Sequence, residues 1–195
     1  MNRREALKNI GLTIGYSAVA PSALSILQSC TSDVEKWTPV FFTEEESIVI
    51  KHLVDLILPK TEATPGALDV NVPEFIDLYA SKAYNDEDKA EYKKGIESII
   101  EALHIPETGA KHLNTEDYTT LLDKYLRAPK AEEKQFKAEK SLVYEALLNL
   151  RNQTVWAYQT SENVGEKVLA YDPIPASQKG CISVEEATGG NAWSL

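Results

Sequence analysis

Two cysteines, one methionine and three histidines in 195 residues leave little with which to build a metal centre or a redox relay. No Cys-x-x-Cys-His run is present, so haem c cannot be attached in the usual way. No Gly-x-Gly-x-x-Gly follows a strand pattern, which removes a dinucleotide fold. His52, His104 and His112 lie in separate segments without helical spacing between them, so they read as structural side chains rather than ligands or bases. Basic charge is also short: 20 Lys and Arg face 30 Asp and Glu, a net −10. A surface of that sign repels nucleic acid, which is excluded as a partner. Acidic pairs such as Asp86/Asp88 and Glu132/Glu133 fall in first helical turns, where they complement the helix dipole.

Long apolar runs are missing as well, and the nearest approach to one is at the start. "MNRREALKNIGLTIGYSAVAPSALSILQSC" has a basic beginning and then an apolar stretch broken by Gly11, Gly15, Pro21 and several serines. A spanning helix needs about 20 apolar residues; this stretch fits an export signal instead. Residues 2–8 resemble a twin-arginine box around Arg3 and Arg4, with Asn2 and Ala6 as departures. A general secretory signal is the alternative. Leu27-Gln28-Ser29-Cys30 resembles a lipobox, in which Cys30 is acylated and becomes the first mature residue. The expected location is the periplasmic side of the cell envelope, with the protein lipid-anchored to the membrane and not spanning it. Cys181 is then left over: an intermolecular bridge, a reactive thiol or an inert buried thiol.

What is abundant is helical periodicity. Thr43 and Glu46 form a capping box ahead of Ile48, Val49, Leu53, Leu56 and Ile57, and Pro59 stops that run. Pro73 opens a second helix with Phe75, Ile76, Tyr79 and Ala80 as its apolar stripe. Asn85 or Asp86 caps a third, and Thr115 a fourth. The spacing of Phe136, Val143, Ala146, Leu147, Leu150, Thr154 and Tyr158 predicts one long helix over 131–159. No strand pattern is visible. The reading is an all-α fold, a small helical domain of about five helices with an extended irregular C-terminal arm. Residues 1–29 form the signal, 30–42 a tether, 43–160 the helical domain and 161–195 the arm. The arm keeps Val168, Leu169, Tyr171, Ile174, Ile182 and Trp193, which a disordered tail would lack.

Two long blocks carry a family resemblance. "FFTEEESIVIKHLVDLILPKTEATPGALDVNVPEFIDLYAS" at the front and "AYQTSENVGEKVLAYDPIPASQKGCI" at the back resemble the small subunit, subunit 3, of gluconate 2-dehydrogenase and related sugar and polyol dehydrogenases. The resemblance implies a non-catalytic chain without a cofactor of its own. It implies a large flavoprotein partner of the glucose-methanol-choline (GMC) type that holds FAD, and in many complexes a haem-c subunit. It also implies a role in assembly and twin-arginine export of the flavoprotein. Large aromatics and preorganised prolines suit an interface, so Trp156, Tyr158, Tyr171, Asp172, Pro173 and Pro175 are the candidate partner contacts. Cys181 is the candidate for a disulfide to the large subunit. The competing expectation is a free-standing lipoprotein that binds a ligand or another protein; a small enzyme would need a constellation that is not apparent.

Overall fold

A computed structural model describes residues 37–106, 109–174 and 180–194. Contacts divide the chain into Met1–Trp37 and Thr38–Leu195, and the second unit holds the helical domain and the arm. Arg3, Arg4, Cys30 and Pro175 lie outside the described residues.

Helix α1 spans Glu44–Ile57. Its capping box forms as the sequence predicts: Glu46 N–H donates to Thr43 Oγ1 at 3.2 Å, and Thr43 N–H donates to Glu46 Oε2 at 2.7 Å. Val49, Ile50, Leu53 and Val54 are fully buried on one face, each worth about 2 kcal/mol on transfer from water. The loop after it turns at Thr61–Thr64 through paired hydroxyl and backbone bonds. Gly66 is required there, because a Cβ would stand 2.6 Å from the Lys60 nitrogen.

Helix α2 is Val72–Ala83, with Pro73 within the first turn, where its missing N–H costs nothing. Helix α3 is Asp86–Ala102, capped by Asn85. Helix α4 is Thr115–Leu126. Its cap is Asn114 rather than the expected Thr115: Asn114 Oδ1 accepts from Asp117 N–H at 3.0 Å and the Asp117 carboxylate accepts from Asn114 N–H at 2.9 Å. Asparagine is the stronger cap, and Thr115 becomes the first helical residue.

The long fifth helix expected from the spacing is two helices. Helix α5 is Lys130–Ala138 and α6 is Leu142–Gln159. Between them Lys140 takes φ 51°, Ser141 N–H bonds Phe136 O and Lys140 N–H bonds Lys137 O. That pair of bonds is a Schellman motif, closed here by a lysine where glycine is usual. The break also turns the stripe: Tyr144 and Ala157 are buried beside Leu147, Leu150 and Thr154, whereas Val143, Ala146 and Tyr158 are only half-buried.

Helix α6 is the axis of the domain and packs against α1 to α5 and against α7, Glu162–Lys167. It packs tightly on α3 at Gly95, where an added Cβ would meet the Ala146 Cβ at 3.2 Å. The arm carries α7 and a last short helix, α8, Val184–Thr188, which brings the described residues to eight α-helices. Its tail returns to its root: Ala170 N–H donates to Ala192 O at 2.8 Å and Ser194 N–H to Ala170 O at 2.9 Å, a parallel bridge of Ala170 with Trp193. Among the described residues no helix is long and apolar enough to cross a membrane.

Candidate partner-binding surface

The surface grows out of a buried carboxylate. Asp77 on α2 is 1% exposed and accepts three backbone N–H groups, from Val40 at 2.7 Å, Phe41 at 2.9 Å and Phe42 at 2.8 Å. These charge-assisted bonds seat the chain entering α1 against α2. They also set Phe41 and Phe42 beside Tyr92 of α3, with ring centroids 5.9 and 6.2 Å away. Lys93 lies over the Phe41 ring at 4.7 Å and pairs with the Glu46 carboxylate.

From Tyr92 the rings continue outward. Tyr84 meets Tyr92 at 5.6 Å and Tyr79 at 5.6 Å; Tyr79 meets Trp156 at 5.2 Å, and Phe75 lies 5.4 Å from Trp156. Gln153 of α6 ties the inner part together, accepting from Tyr92 OH at 2.7 Å and donating to Tyr84 OH. Burial pushes the Tyr92 hydroxyl far above the ordinary phenol range, helped by the neighbouring Tyr84 and Asp77. Tyr84 is raised by burial first and then by Tyr79 and Asp88. Both phenols therefore stay neutral and serve as hydrogen-bonding groups.

The outer end of this run is uncovered among the described residues. Phe75 is 40% exposed, Tyr79 38%, Trp156 41% and the adjoining Leu78 50%. Beside it, between α3 and α6, runs an open groove of about 460 Å³ walled by Tyr84, Tyr92, Leu142 and Ala146. Asp88, Glu91 and Glu145 line it too, and none of the three has an ion-pair partner among the described residues.

The residues singled out from the sequence are scattered over this geometry. Trp156 sits in the exposed ring cluster. Tyr158 is half-buried, and its hydroxyl donates to Pro65 O at 2.7 Å, holding the loop that precedes α2. Tyr171, Asp172 and Pro173 are exposed on the arm, and Tyr171 makes no ring contact with the cluster among the described residues. Cys181 is exposed and free, with φ 54°. His52 stacks on the buried Tyr118 ring at 5.0 Å. No group of three or more His, Cys, Asp or Glu among the described residues is placed to hold a metal ion.

Sequence reasoning missed Phe75, Leu78 and Tyr79 as surface groups, taking Phe75 and Tyr79 for core. The signal was present: "VPEFIDLYA" is apolar around too much of the helix, wider than the stripe a surface helix needs. Val72, Ile76 and Ala80 fill the inner face, which leaves the other three outside.

Among the described residues no element covers the aromatic face of this all-α domain. Comparison with known proteins gives the family: the one described as gluconate 2-dehydrogenase subunit 3 matches residues 44–176, and the chain belongs to it. The match opens on the first residue of α1 and runs into the arm, stopping short of Gly180-Cys181, which the sequence resemblance had included. No curated protein and no solved structure matches. The family name makes the chain one component of a multi-subunit oxidoreductase.

Proposed function

We propose that this chain is the non-catalytic small subunit of a membrane-associated, FAD-dependent sugar or polyol dehydrogenase of the gluconate 2-dehydrogenase kind. It binds the GMC-type flavoprotein that holds FAD, supports its assembly and carries it through twin-arginine export by the signal at Arg3 and Arg4. Lipidation of Cys30 keeps the complex on the periplasmic side of the envelope, and a haem-c subunit takes the electrons onward. The observation that carries this reading is the family match over 44–176, which spans α1 to α7. The twin-arginine-like box at Arg3 and Arg4 adds support, since that route moves folded, cofactor-loaded cargo. Tyr171, Asp172, Pro173 and Pro175 of the arm join Trp156 as contacts, Tyr158 contributes by holding the loop that precedes α2, and Cys181 bonds the large subunit.

The test is made in cells that express the flavoprotein with this chain. Changing Arg3 and Arg4 to lysine is expected to leave the flavin absorbance in the cytoplasmic fraction, and wild-type chain to bring it to the membrane. A flavoprotein correctly exported and active without this chain would overturn the proposal. Non-reducing electrophoresis of the complex checks the cross-link: Cys181→Ser must abolish the joined band.

A further inference from the structure

The exposed rings and the acidic groove adjoin each other, and their chemistry says what covers them. We propose that the Phe75–Leu78–Tyr79–Trp156 face and the groove between α3 and α6 form one docking surface for the flavoprotein subunit, which brings to it apolar anchors and, at the groove, a lysine or arginine side chain. This rests on the subunit reading and places the partner on the helical body, not only on the arm.

Continuity comes from Tyr84. It lines the groove and its ring touches Tyr79 at 5.6 Å, so a segment lying on the exposed rings runs directly into the groove. Area decides between occupants. Side chains of this size bury 150–250 Å² each, so the exposures of the four leave roughly 300 Å² of joined apolar surface. A second copy using the same face would bury roughly 600 Å² in total, below the roughly 1,000 Å² of a lasting interface. A second copy would also set one acidic groove near another in a chain of net −10. A different, larger partner that extends over the groove avoids both problems.

Charge then selects the occupant of the groove. Asp88, Glu91 and Glu145 have no internal cation among the described residues, and Tyr84 and Tyr92 supply aromatic walls. Carboxylates beside ring faces favour a cationic side chain with an apolar stem. The ring cluster itself is ringed by Asn152 and Thr160, one helical turn to either side of Trp156, and by Lys82, one turn beyond Leu78. Its own contact is therefore apolar, with the ionic contact confined to the groove.

The experiment measures binding of the full-length chain to the separately purified flavoprotein at two salt concentrations. One variant combines Trp156→Ala with Leu78→Ser. The other combines Asp88→Lys, Glu91→Lys and Glu145→Lys. Thermal melts confirm that each folds, and because the two sets share no residue, a folding defect in one leaves the other to test the surface. Each set is expected to raise Kd tenfold or more, and the charge reversal to remove most of the salt dependence. Kd within twofold of wild type for both sets would overturn the inference while leaving the subunit reading intact. Loss in only one set confines docking to that half and overturns the single-surface proposal. If the wild-type chain binds no flavoprotein, the subunit reading falls and this inference falls with it.

Discussion

Asp77 is held by three backbone N–H groups rather than by a cation, and that choice fixes what the residue does. A carboxylate offers acceptor positions on both oxygens, enough for Val40, Phe41 and Phe42 together. Alanine at position 77 would leave the three N–H groups without that acceptor. At about 1 kcal/mol or more for each bond, Asp77→Ala is expected to cost about 3 kcal/mol, read as a lowered urea midpoint with unchanged slope. Asparagine should recover only part of this, since its amide presents one acceptor oxygen. A midpoint within experimental scatter of wild type would show that the entering segment is not held by this carboxylate. The role was not legible beforehand. In "VPEFIDLYAS" the aspartate has the look of a surface acid, and only the chain returning from 35 or more residues upstream supplies its donors.

At the scale of elements, the helices with ordinary punctuation were readable. Thr43 with Glu46, Pro59, Pro73 and Asn85 each mark a boundary found in the structure, because the cap and the proline act locally. The break between α5 and α6 has no such mark. Lys140 does at φ 51° what glycine would do without the Cβ penalty. Relief of the roughly 1–2 kcal/mol left-handed cost, less glycine's greater backbone entropy, leaves Lys140→Gly expected to raise stability by about 0.5–1 kcal/mol, seen as a higher denaturation midpoint with helical circular dichroism unchanged. If α5 and α6 were one continuous helix, the same glycine would lower stability by a similar amount, so the sign of the change is the readout. The aromatic surface was half legible for a related reason. Trp156 stood out by its type, while Phe75 and Tyr79 were hidden inside a pattern that counts apolar residues without asking whether a helix has too many.

Across the whole molecule, burial is uneven. Leu147, Leu150 and Thr154 of α6 are fully covered, with helices on several sides. The arm from Tyr171 to Ile174 is exposed, with Ile174 at 83%, and the short α8 has no buried residue. Amide exchange should follow this contrast. Protons of α6 near Leu147 to Thr154 are expected to exchange only with global unfolding, and those of 171–174 and 184–188 faster by roughly two orders of magnitude or more. Mass-spectrometric exchange on peptides from the intact chain reads both. Equal protection in the two regions would mean that the arm is as much part of the cooperative unit as α6. All-α architecture was plain in the sequence, since helical periodicity without alternation survives any uncertainty about boundaries. Which of its faces stays uncovered was not, because that depends on how six helices divide the surface of α6.

The bridge between Ala170 and Trp193 has a topological result. Ala170 and Trp193 meet at one point, like the two halves of a clasp, and Ser194 seats its hydroxyl 3.0 Å from where a Cβ on Gly165 would be. Doubling the length of such a loop costs only about 0.6 kcal/mol in closure entropy. The span between the clasp's two halves is thus free to lengthen, shorten or change its sequence over generations to follow a changing neighbour, while the helices that carry it stay as they are.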